Sequence, residues 1–336
     1  MRKLLSLVAL IVVVAAVVVA WPHLRSHSSA APPSTTSSAP VATIPIAPLT
    51  GLPDLSGAAL KRPALTVKIE NTPEAMPQWG IDQADVVYEE IVNGGITRLA
   101  AIFNSHAPAK VGPIRSVRPT DTQIVFPLGG IFAFSGGAAY ALASIATAPV
   151  KLIQESGAGT AMYRDPTRYA PHNLYGVVPS LFAFGGTPTP PPALFTYHSG
   201  KVTQLSNVVS SFVVPFPSIY PVTWTWDART TSWDRTLFSQ PDVTGTGVRE
   251  SPKNVIVMWV NYVNGIGTMS SYANLQGSGQ AAVFTDGREV TGTWSRGTSM
   301  SDVITYQTPS GATIPLTPGQ TWVELLNTGT TLSVTK

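Results

Sequence analysis

The sequence has no cysteine among its 336 residues, and only 12% of the residues are charged. Without cysteine, the chain has neither a disulfide framework nor a lipid-modified cysteine, so its stability must come from an ordinary apolar core. The net charge is only +3, with no Lys/Arg run and no basic stripe interleaved with aromatic residues. These absences disfavour nucleic-acid binding.

Two common catalytic signatures are also missing. No cluster of His, Asp and Glu has metal-ligand spacing, so we expect no metal site and no cofactor. No Gly-x-Ser-x-Gly stretch is present, so a serine triad has no support.

The chain begins with a membrane signal. Arg2 and Lys3 precede an apolar run over residues 4–21, at the boundary between a signal-peptide core of ~7–15 residues and a spanning helix of ~17–25. The basic flank keeps the N-terminus in the cytoplasm. We expect residues 1–22 to be a signal or membrane anchor, with the remainder extracytoplasmic: attached through this apolar helix, or secreted if the segment is cleaved.

Composition divides the rest of the chain. Residues 23–47 are rich in Ser, Thr, Ala and Pro, which is typical of an extended tether. A Gly/Pro-rich stretch at 185–192 predicts a boundary between an N-terminal domain over 48–192 and a C-terminal domain over 193–336. We expect an α+β fold: a mixed sheet with helices packed on it as a layered β/α sandwich, then a mostly antiparallel β domain.

Residues 85–119 set several charges among apolar residues, which is unusual in so weakly charged a chain. Residues 86–92 and 96–103 are rich in apolar and β-branched types, and Asn93-Gly94-Gly95 between them tolerates positive φ. The pattern predicts a β-hairpin.

Two neighbouring glutamates in this hairpin must point to opposite faces, because side chains alternate along a strand. A two-residue turn places Glu89 opposite Arg98, whereas a three-residue loop places Glu90 there. Either register pairs a carboxylate with Arg98. The alternative to a functional site is a cross-strand ion pair on a solvated face, worth ~0.2–1 kcal/mol.

Arginines recur in the polar motifs that follow. Arg115 and Arg118 stand three apart in an extended stretch, so either only one reaches the site or the backbone bends. A later loop adds Arg164, His172 and Asn173. His172 is the best placed of the five histidines for acid–base work, since its unperturbed pKa lies near neutrality. The alternative is a hydrogen-bonded structural histidine.

A strand at 131–134 runs through Ser135 into Gly136 and Gly137, followed by a predicted helix over 138–146. Free N–H groups at a helix start can bind an anion. The alternative is a tight turn that needs small residues.

The second half of the chain predicts short strands separated by turns, among them a type I′ turn at Asp286-Gly287. Six of the eight tryptophans fall there. Tryptophans in a secreted β domain can stack on sugar rings, but core packing is the default. These residues are Trp224, Trp226, Trp233, Trp259, Trp294 and Trp322.

Several ordered motifs resemble one family. IENTPEAMPQWGIDQADVVYEEIV, NGGITRLAAIF, VGPIRSVRP and APHNLY, followed by NVIVMWV and PLTPGQTWVELL, resemble the YerB-like bacterial lipoproteins, known chiefly as a domain of unknown function. The resemblance covers about residues 48–330. It implies an extracytoplasmic, membrane-attached protein with a mixed α/β N-terminal domain and a β-rich C-terminal domain, and it implies no settled activity.

The resemblance also supplies site candidates. Family members carry glutamate where this chain has Asn93, so a carboxylate pair of Glu89 and that position would lack one member here. Carried onto matching positions, the candidates are Glu89, Arg98, Arg115, Arg118, Arg164, His172 and Asn173.

Three functions compete. The first is a binding or regulatory module of the cell envelope that recognises an anionic glycan, a peptide or a partner protein through an arginine-rich cleft. The second is a hydrolase or transferase acting on peptidoglycan, with Glu89 and His172 as acid and base. The third is a structural role without a small ligand. We expect Arg115 and another arginine to share a cleft with His172, because arginine grips carboxylate or phosphate with a planar fork.

Overall fold

The computed structural model describes residues 44–185, 188–200, 207–217 and 221–336. The predicted anchor and almost all of the predicted tether lie outside these ranges. Among the described residues, no helix is long and apolar enough to cross a membrane.

In the described part of the N-terminal half, strands dominate and three short α-helices are present. The strands are β1 Leu65–Glu70, β2 Val86–Ile91, β3 Thr97–Phe103, β4 Ile131–Phe134, β5 Lys151–Gln154, β6 Met162–Arg164 and β7 Leu174–Gly176. The helices are α1 Pro119–Val125, α2 Ala139–Ile145 and α3 Val178–Phe182.

The C-terminal half is built from strands. They are β8 Asn207–Val208, β9 Ser211–Val214, β10 Val222–Asp227, β11 Ser232–Leu237, β12 Gln240–Pro241, β13 Asn254–Val263, β14 Tyr272–Asn274, β15 Gly277–Thr285, β16 Arg288–Arg296, β17 Thr305–Gln307, β18 Thr321–Asn327 and β19 Ser333–Thr335.

Within the described residues, a twelve-stranded mixed sheet forms the centre of the fold. Its main path runs β17-β16-β15-β13-β18-β2-β3-β1-β4-β5, with β14 attached to β13 and β8 attached to β16. The β1–β4, β4–β5, β13–β18 and β18–β2 pairs are parallel, and the other pairs on the path are antiparallel. Because β18 lies between β13 and β2, the sheet is continuous through both halves.

The hairpin prediction is confirmed, and the structure settles its register. β2 and β3 are antiparallel with Glu90 opposite Arg98, which corresponds to the three-residue loop. Gly94 in that loop has φ 78°, the left-handed region that glycine adopts without strain. Every residue of both strands is buried, so the alternative of an ion pair on a solvated face is wrong.

A second, antiparallel sheet, β12-β11-β10-β9-β19, packs on the large one. Phe212 stacks on Phe284 with ring centroids 3.6 Å apart, and Trp224 meets Trp322 edge-on at 5.4 Å. This mostly antiparallel C-terminal region agrees with the sequence prediction. Most of its tryptophans serve the core, since Trp224, Trp233, Trp294 and Trp322 are buried.

Two helices pack beside β4. Phe132 and Phe134 of this strand form an apolar cluster with Val125 of α1 and with Ala141 and Ile145 of α2. α2 follows the carboxyl end of β4, and β4 is the parallel neighbour of β1. In open α/β sheets, that edge is the usual location of a ligand site.

Candidate functional site

The carboxyl end of β1 places Glu70 at the centre of a polar cluster. Arg115 Nε lies 3.0 Å from Glu70 Oε1, and His172 Nδ1 lies 3.0 Å from both carboxylate oxygens. The Glu70 side chain is 1% exposed, whereas those of Arg115 and His172 are 20% and 16% exposed. We call these three residues the Glu70 site: a buried carboxylate with two nitrogen-bearing side chains at its rim.

Two more arginines lie behind this rim. Arg98 stands beside Glu70 in the register between β1 and β3. Arg98 and Arg118 are buried and each donates to a main-chain carbonyl oxygen, at 3.0 and 2.9 Å. Burial, and then the positive charges of Arg118 and Arg115, lower the pKa of Arg98 to about 9. Arg115 and Arg118 are thus close enough to Arg98 to disfavour its charge, and the three guanidinium groups together create a positive potential at this edge of the sheet.

A buried ionic cluster lies on the same face. Lys68 pairs with Glu90, and its Nζ lies 2.8 Å from Asp121 Oδ1. Asp121 Oδ2 also accepts from the Arg118 main-chain N–H at 2.7 Å, which caps α1. Burial raises the pKa of Asp121 to about 6, against the lowering effect of Lys68. Glu90 therefore faces Arg98 in register but forms its ion pair with Lys68.

Arg115 differs from its neighbours in how its donors are used. The ion pair with Glu70 engages only its Nε side, and the Arg115 side chain makes no hydrogen bond to any residue that the structure describes. Arg118, by contrast, donates to a main-chain carbonyl and to Asn93 Oδ1 at 2.5 Å. The Nη groups of Arg115 thus form an unoccupied planar fork at the rim, suited to a carboxylate or phosphate.

The loop that carries His172 is fixed by its neighbours. Arg164 Nε lies 2.8 Å from Glu155 Oε1, and Arg164 Nη1 donates to Asn173 Oδ1 at 2.8 Å. Asn173 Nδ2 donates to two main-chain carbonyl oxygens of the loop, each at 3.2 Å. Asn173 follows His172 directly, so these bonds position the histidine. The geometry gives Arg164 and Asn173 a supporting place beside the Glu70 site.

The two glycines after β4 have a packing explanation. The Gly136 carbonyl accepts from the Val117 main-chain N–H at 2.9 Å. A Cβ atom on Gly137 would lie 2.6 Å from Val117 Cγ1, so only glycine fits there. The helix that follows has seven residues. These contacts favour the tight-turn interpretation of Gly136 and Gly137.

Glu89 lies on the other face of β2, as the alternation predicts. It is fully buried, and its Oε2 accepts from Arg235 Nη2 at 2.7 Å. Its Oε1 accepts from Asn71 Nδ2 at 2.9 Å and from Thr97 Oγ1 at 2.6 Å. The structure therefore does not bring Glu89 and His172 together. The sheet separates them, and the carboxylate beside His172 is Glu70.

A network with no solvent access surrounds Glu89. Arg235 pairs with both Glu89 and Asp242 and stacks over the Trp322 ring at 4.7 Å. Glu324 on β18 stands opposite Glu89, and its Oε1 accepts from an indole N–H at 3.0 Å. Burial, and then the charge of Glu89, raise the pKa of Glu324 well above its ordinary value. We call Glu89, Arg235, Asp242 and Glu324 the closed network.

Sequence reasoning missed Glu70 and Lys68. Both lie in the strand LTVKIE, two residues apart and therefore on one face. The signal that could have revealed them is a pair of opposite charges on one face of a largely apolar strand. Within the described ranges, no group of His, Cys, Asp and Glu side chains could hold a metal ion.

Comparison with known proteins gives a family. Residues 49–185 match the profile described as "Protein of unknown function (DUF3048) N-terminal domain", and residues 212–323 match its C-terminal domain. "Putative lipoprotein YerB" of Bacillus subtilis (strain 168) is 36% identical over 132 residues, which is 38% of this chain and 39% of the relative. That match thus spans about two fifths of the relative's length.

A solved structure has the same fold. The crystal structure of the YerB protein from Bacillus subtilis aligns with 87% of this chain and with all of its own chain, with a TM-score of 0.76 and 22% sequence identity. At this identity, the likeness concerns the fold alone.

Proposed function

Because the chain belongs to the DUF3048 family of proteins of unknown function, we propose that it is an extracytoplasmic, membrane-attached module of the bacterial cell envelope that binds an anionic ligand at the Glu70 site. The family supplies no activity, so the chemistry of the proposal comes from the site. The ligand class is an envelope glycan, peptide or partner protein that presents a carboxylate or phosphate.

One observation carries the proposal: the free fork of Arg115. An arginine with a purely structural role would donate its N–H groups to protein acceptors, as Arg118 does. Arg115 is anchored through Nε to Glu70 and keeps its outer nitrogens for another partner. Bidentate hydrogen bonds between a guanidinium and an anion are among the strong ones in proteins.

The surrounding charge supports an anion over a neutral ligand. Arg98 and Arg118 lie behind Arg115, close enough to lower the pKa of Arg98. The hairpin loop presents Asn93 to Arg118, where a neutral amide leaves the arginine charge uncompensated. Such a positive potential attracts anions and is screened by salt.

Binding is better supported than hydrolysis. An acid–base pair needs two groups within reach of one substrate, and Glu89 and His172 lie on opposite faces of the sheet. The carboxylate that does touch His172 pairs with Arg115 as well, an arrangement that suits a scaffold for the arginine.

Two independent features support membrane attachment. Arg2 and Lys3 before the apolar run keep the N-terminus in the cytoplasm and send the rest outward. The curated relative carries the name lipoprotein.

A reporter that is active only in the cytoplasm, fused at the C-terminus, should stay silent, and a strong signal would contradict the proposed topology.

The ligand proposal is tested by calorimetric titration of the full chain in a zwitterionic detergent with inorganic phosphate, N-acetylmuramic acid and a glycerol phosphate oligomer. Arg115→Lys keeps the charge but removes the fork, so affinity should fall at least about tenfold. Arg229→Lys, at an exposed arginine that also pairs with a carboxylate, is the matched control and should retain binding.

Asn93→Glu gives a second, opposite test. The new carboxylate would face Arg118 and lower the positive potential, so binding should weaken although no ligand contact is removed. Unchanged affinity in Arg115→Lys, together with a clear fall in its melting temperature, would show that the arginine serves stability instead.

A further inference from the structure

A second cavity lies far along the large sheet, where two neighbouring strands diverge. β13 pairs with β15 as far as Met258 opposite Ala281, and beyond this point it pairs with β14 instead. β15 continues alone against β16. The divergence leaves a cavity of about 440 Å³ between the strands, within the size range of small-molecule sites.

The chemistry of its lining is uniform. None of the ten lining residues carries a charge, and eight of them present an amide, a hydroxyl or an indole. The lining residues are Trp259, Asn261, Asn274, Gln276, Ser278, Gly279, Gln280, Trp294, Thr328 and Gly329. This composition is the opposite of the arginine-rich Glu70 site, so the two places suit different ligands.

The aromatic part of the cavity is held rigidly. Trp294 is buried, and its Nε1 donates to the Trp259 main-chain carbonyl at 2.9 Å. Trp259 is half-buried, and its own Nε1 donates to the Thr330 main-chain carbonyl at 2.8 Å. A Cβ atom on Gly279 would lie 2.6 Å from the Trp294 indole nitrogen, so glycine is needed for this arrangement. A fixed indole provides contact area at little entropic cost.

Part of the cavity lining is polar and exposed to solvent. Asn261, Ser278 and Gln280 are exposed, and their side chains make no hydrogen bond to any residue in the described part of the chain. An amide offers both donors and an acceptor, and a hydroxyl offers a donor and acceptors. Sugar hydroxyls, which also donate and accept, are the natural complement to such a set.

We infer that this cavity, which we call the tryptophan groove, binds a neutral saccharide. The apolar face of a pyranose ring packs against Trp259, and its hydroxyl groups bond to Asn261, Ser278 and Gln280. The absence of charged lining residues excludes the electrostatic recognition proposed for the Glu70 site. The inference stands independently of that site, since it rests on different residues.

Saturation-transfer NMR on the full chain tests the inference, with the neutral tetrasaccharides of glucose and of N-acetylglucosamine as probes. The detergent must have no sugar head group, because such a group would compete. The wild type should transfer saturation to ring protons of at least one probe in a saturable manner. The absence of saturable binding for both would overturn the inference.

The combined variant Asn261→Ala/Gln280→Ala removes two exposed side chains without touching the core, so it should fold normally. Its affinity should fall about tenfold or more, from the loss of two hydrogen bonds. Gln240→Ala, an exposed glutamine on β12, and Arg115→Lys should both bind the sugar as the wild type does. An affinity unchanged in the combined variant would locate the sugar elsewhere and overturn the assignment.

Discussion

Glu89 and Glu90 are neighbours on one strand, and the two faces they occupy contrast sharply. On the Glu89 face, a second sheet covers the closed network completely. On the other face, the row of charges continues from Glu90 through Arg98 to Glu70 and ends at the partly exposed Arg115 and His172. The same residue types therefore have a structural role on the covered face and a proposed binding role at the open edge. Access to solvent distinguishes the two.

The contrast has a physical basis. A charge sealed in the interior must be matched by its neighbours, because desolvation costs several kcal/mol per ion. The closed network meets this requirement with Arg235 between Glu89 and Asp242. At the open edge, water can hydrogen-bond to groups that have no protein partner, so the Nη groups of Arg115 need none. An unmatched charge is tolerable only where water reaches it, and a ligand can reach the same place.

The largest effect should come from breaking the closed network. Arg235→Ala leaves Glu89 and Asp242 buried without their cation, so we expect a loss of about 3–5 kcal/mol in the free energy of unfolding. Denaturant titration measures this loss. Arg229→Ala, which removes an arginine paired with a carboxylate in solvent, should leave the midpoint unchanged. Equal effects of the two substitutions would erase the distinction between covered and open charges.

A pH profile should sharpen the contrast. The pKa of Glu324 is raised in the folded state above its ordinary 4.5, so its contribution to stability is full below pH 4.5 and is lost as pH rises towards the folded pKa. Glu324→Gln imitates the neutral acid. Relative to this variant, the wild type should lose up to about 1.4 kcal/mol per pH unit in that window.

Parallel melts of wild type and Glu324→Gln from pH 4 to pH 8 measure this difference. Glu155→Gln, a substitution at the surface, gives the baseline for losing one glutamate. A stability difference that stays constant with pH would mean that Glu324 is ionised in the folded protein.

The smallest change in stability should occur at the open edge. His172→Gln removes a rim side chain that contacts both carboxylate oxygens of Glu70, but glutamine can still donate a hydrogen bond there. The free energy of unfolding should therefore change by no more than about 1 kcal/mol. Affinity for the anionic probes should fall all the same. If the free energy of unfolding dropped by several kcal/mol instead, His172 would belong with the structural residues.

The hairpin shows how far local sequence carries a prediction. Its two strands follow from β-branched composition and its turn from Asn93-Gly94-Gly95, and both were predictable. The register was not, because two- and three-residue loops are both compatible with those residues. Alternation also fixed that Glu89 and Glu90 diverge, but not which face a second sheet would cover.

Long-range partners explain what remained out of reach. Arg235, which holds Glu89, comes from a sheet far along the chain, and no local pattern links the two. Arg115 and His172 of the Glu70 site were identified from the density of polar residues in their loops, whereas the central carboxylate was not, because Glu70 ends a strand that looked ordinary. Expectations for residues 1–22 concern a part of the chain outside the described ranges and stay predictions.

The position of β18 has a consequence for the order in which the protein can be completed. This strand, close to the C-terminus, supplies the parallel partner of β2, which belongs to the first half of the sequence. While the chain is being synthesised or exported, β2 has an open edge, made of residues that are buried in the finished fold, until residues 321–327 arrive, and such edges invite pairing with other chains. A chain truncated before Thr321 would therefore be an aggregation-prone fragment. The family segment at residues 49–185 cannot complete its part of the sheet until the C-terminal strand is present.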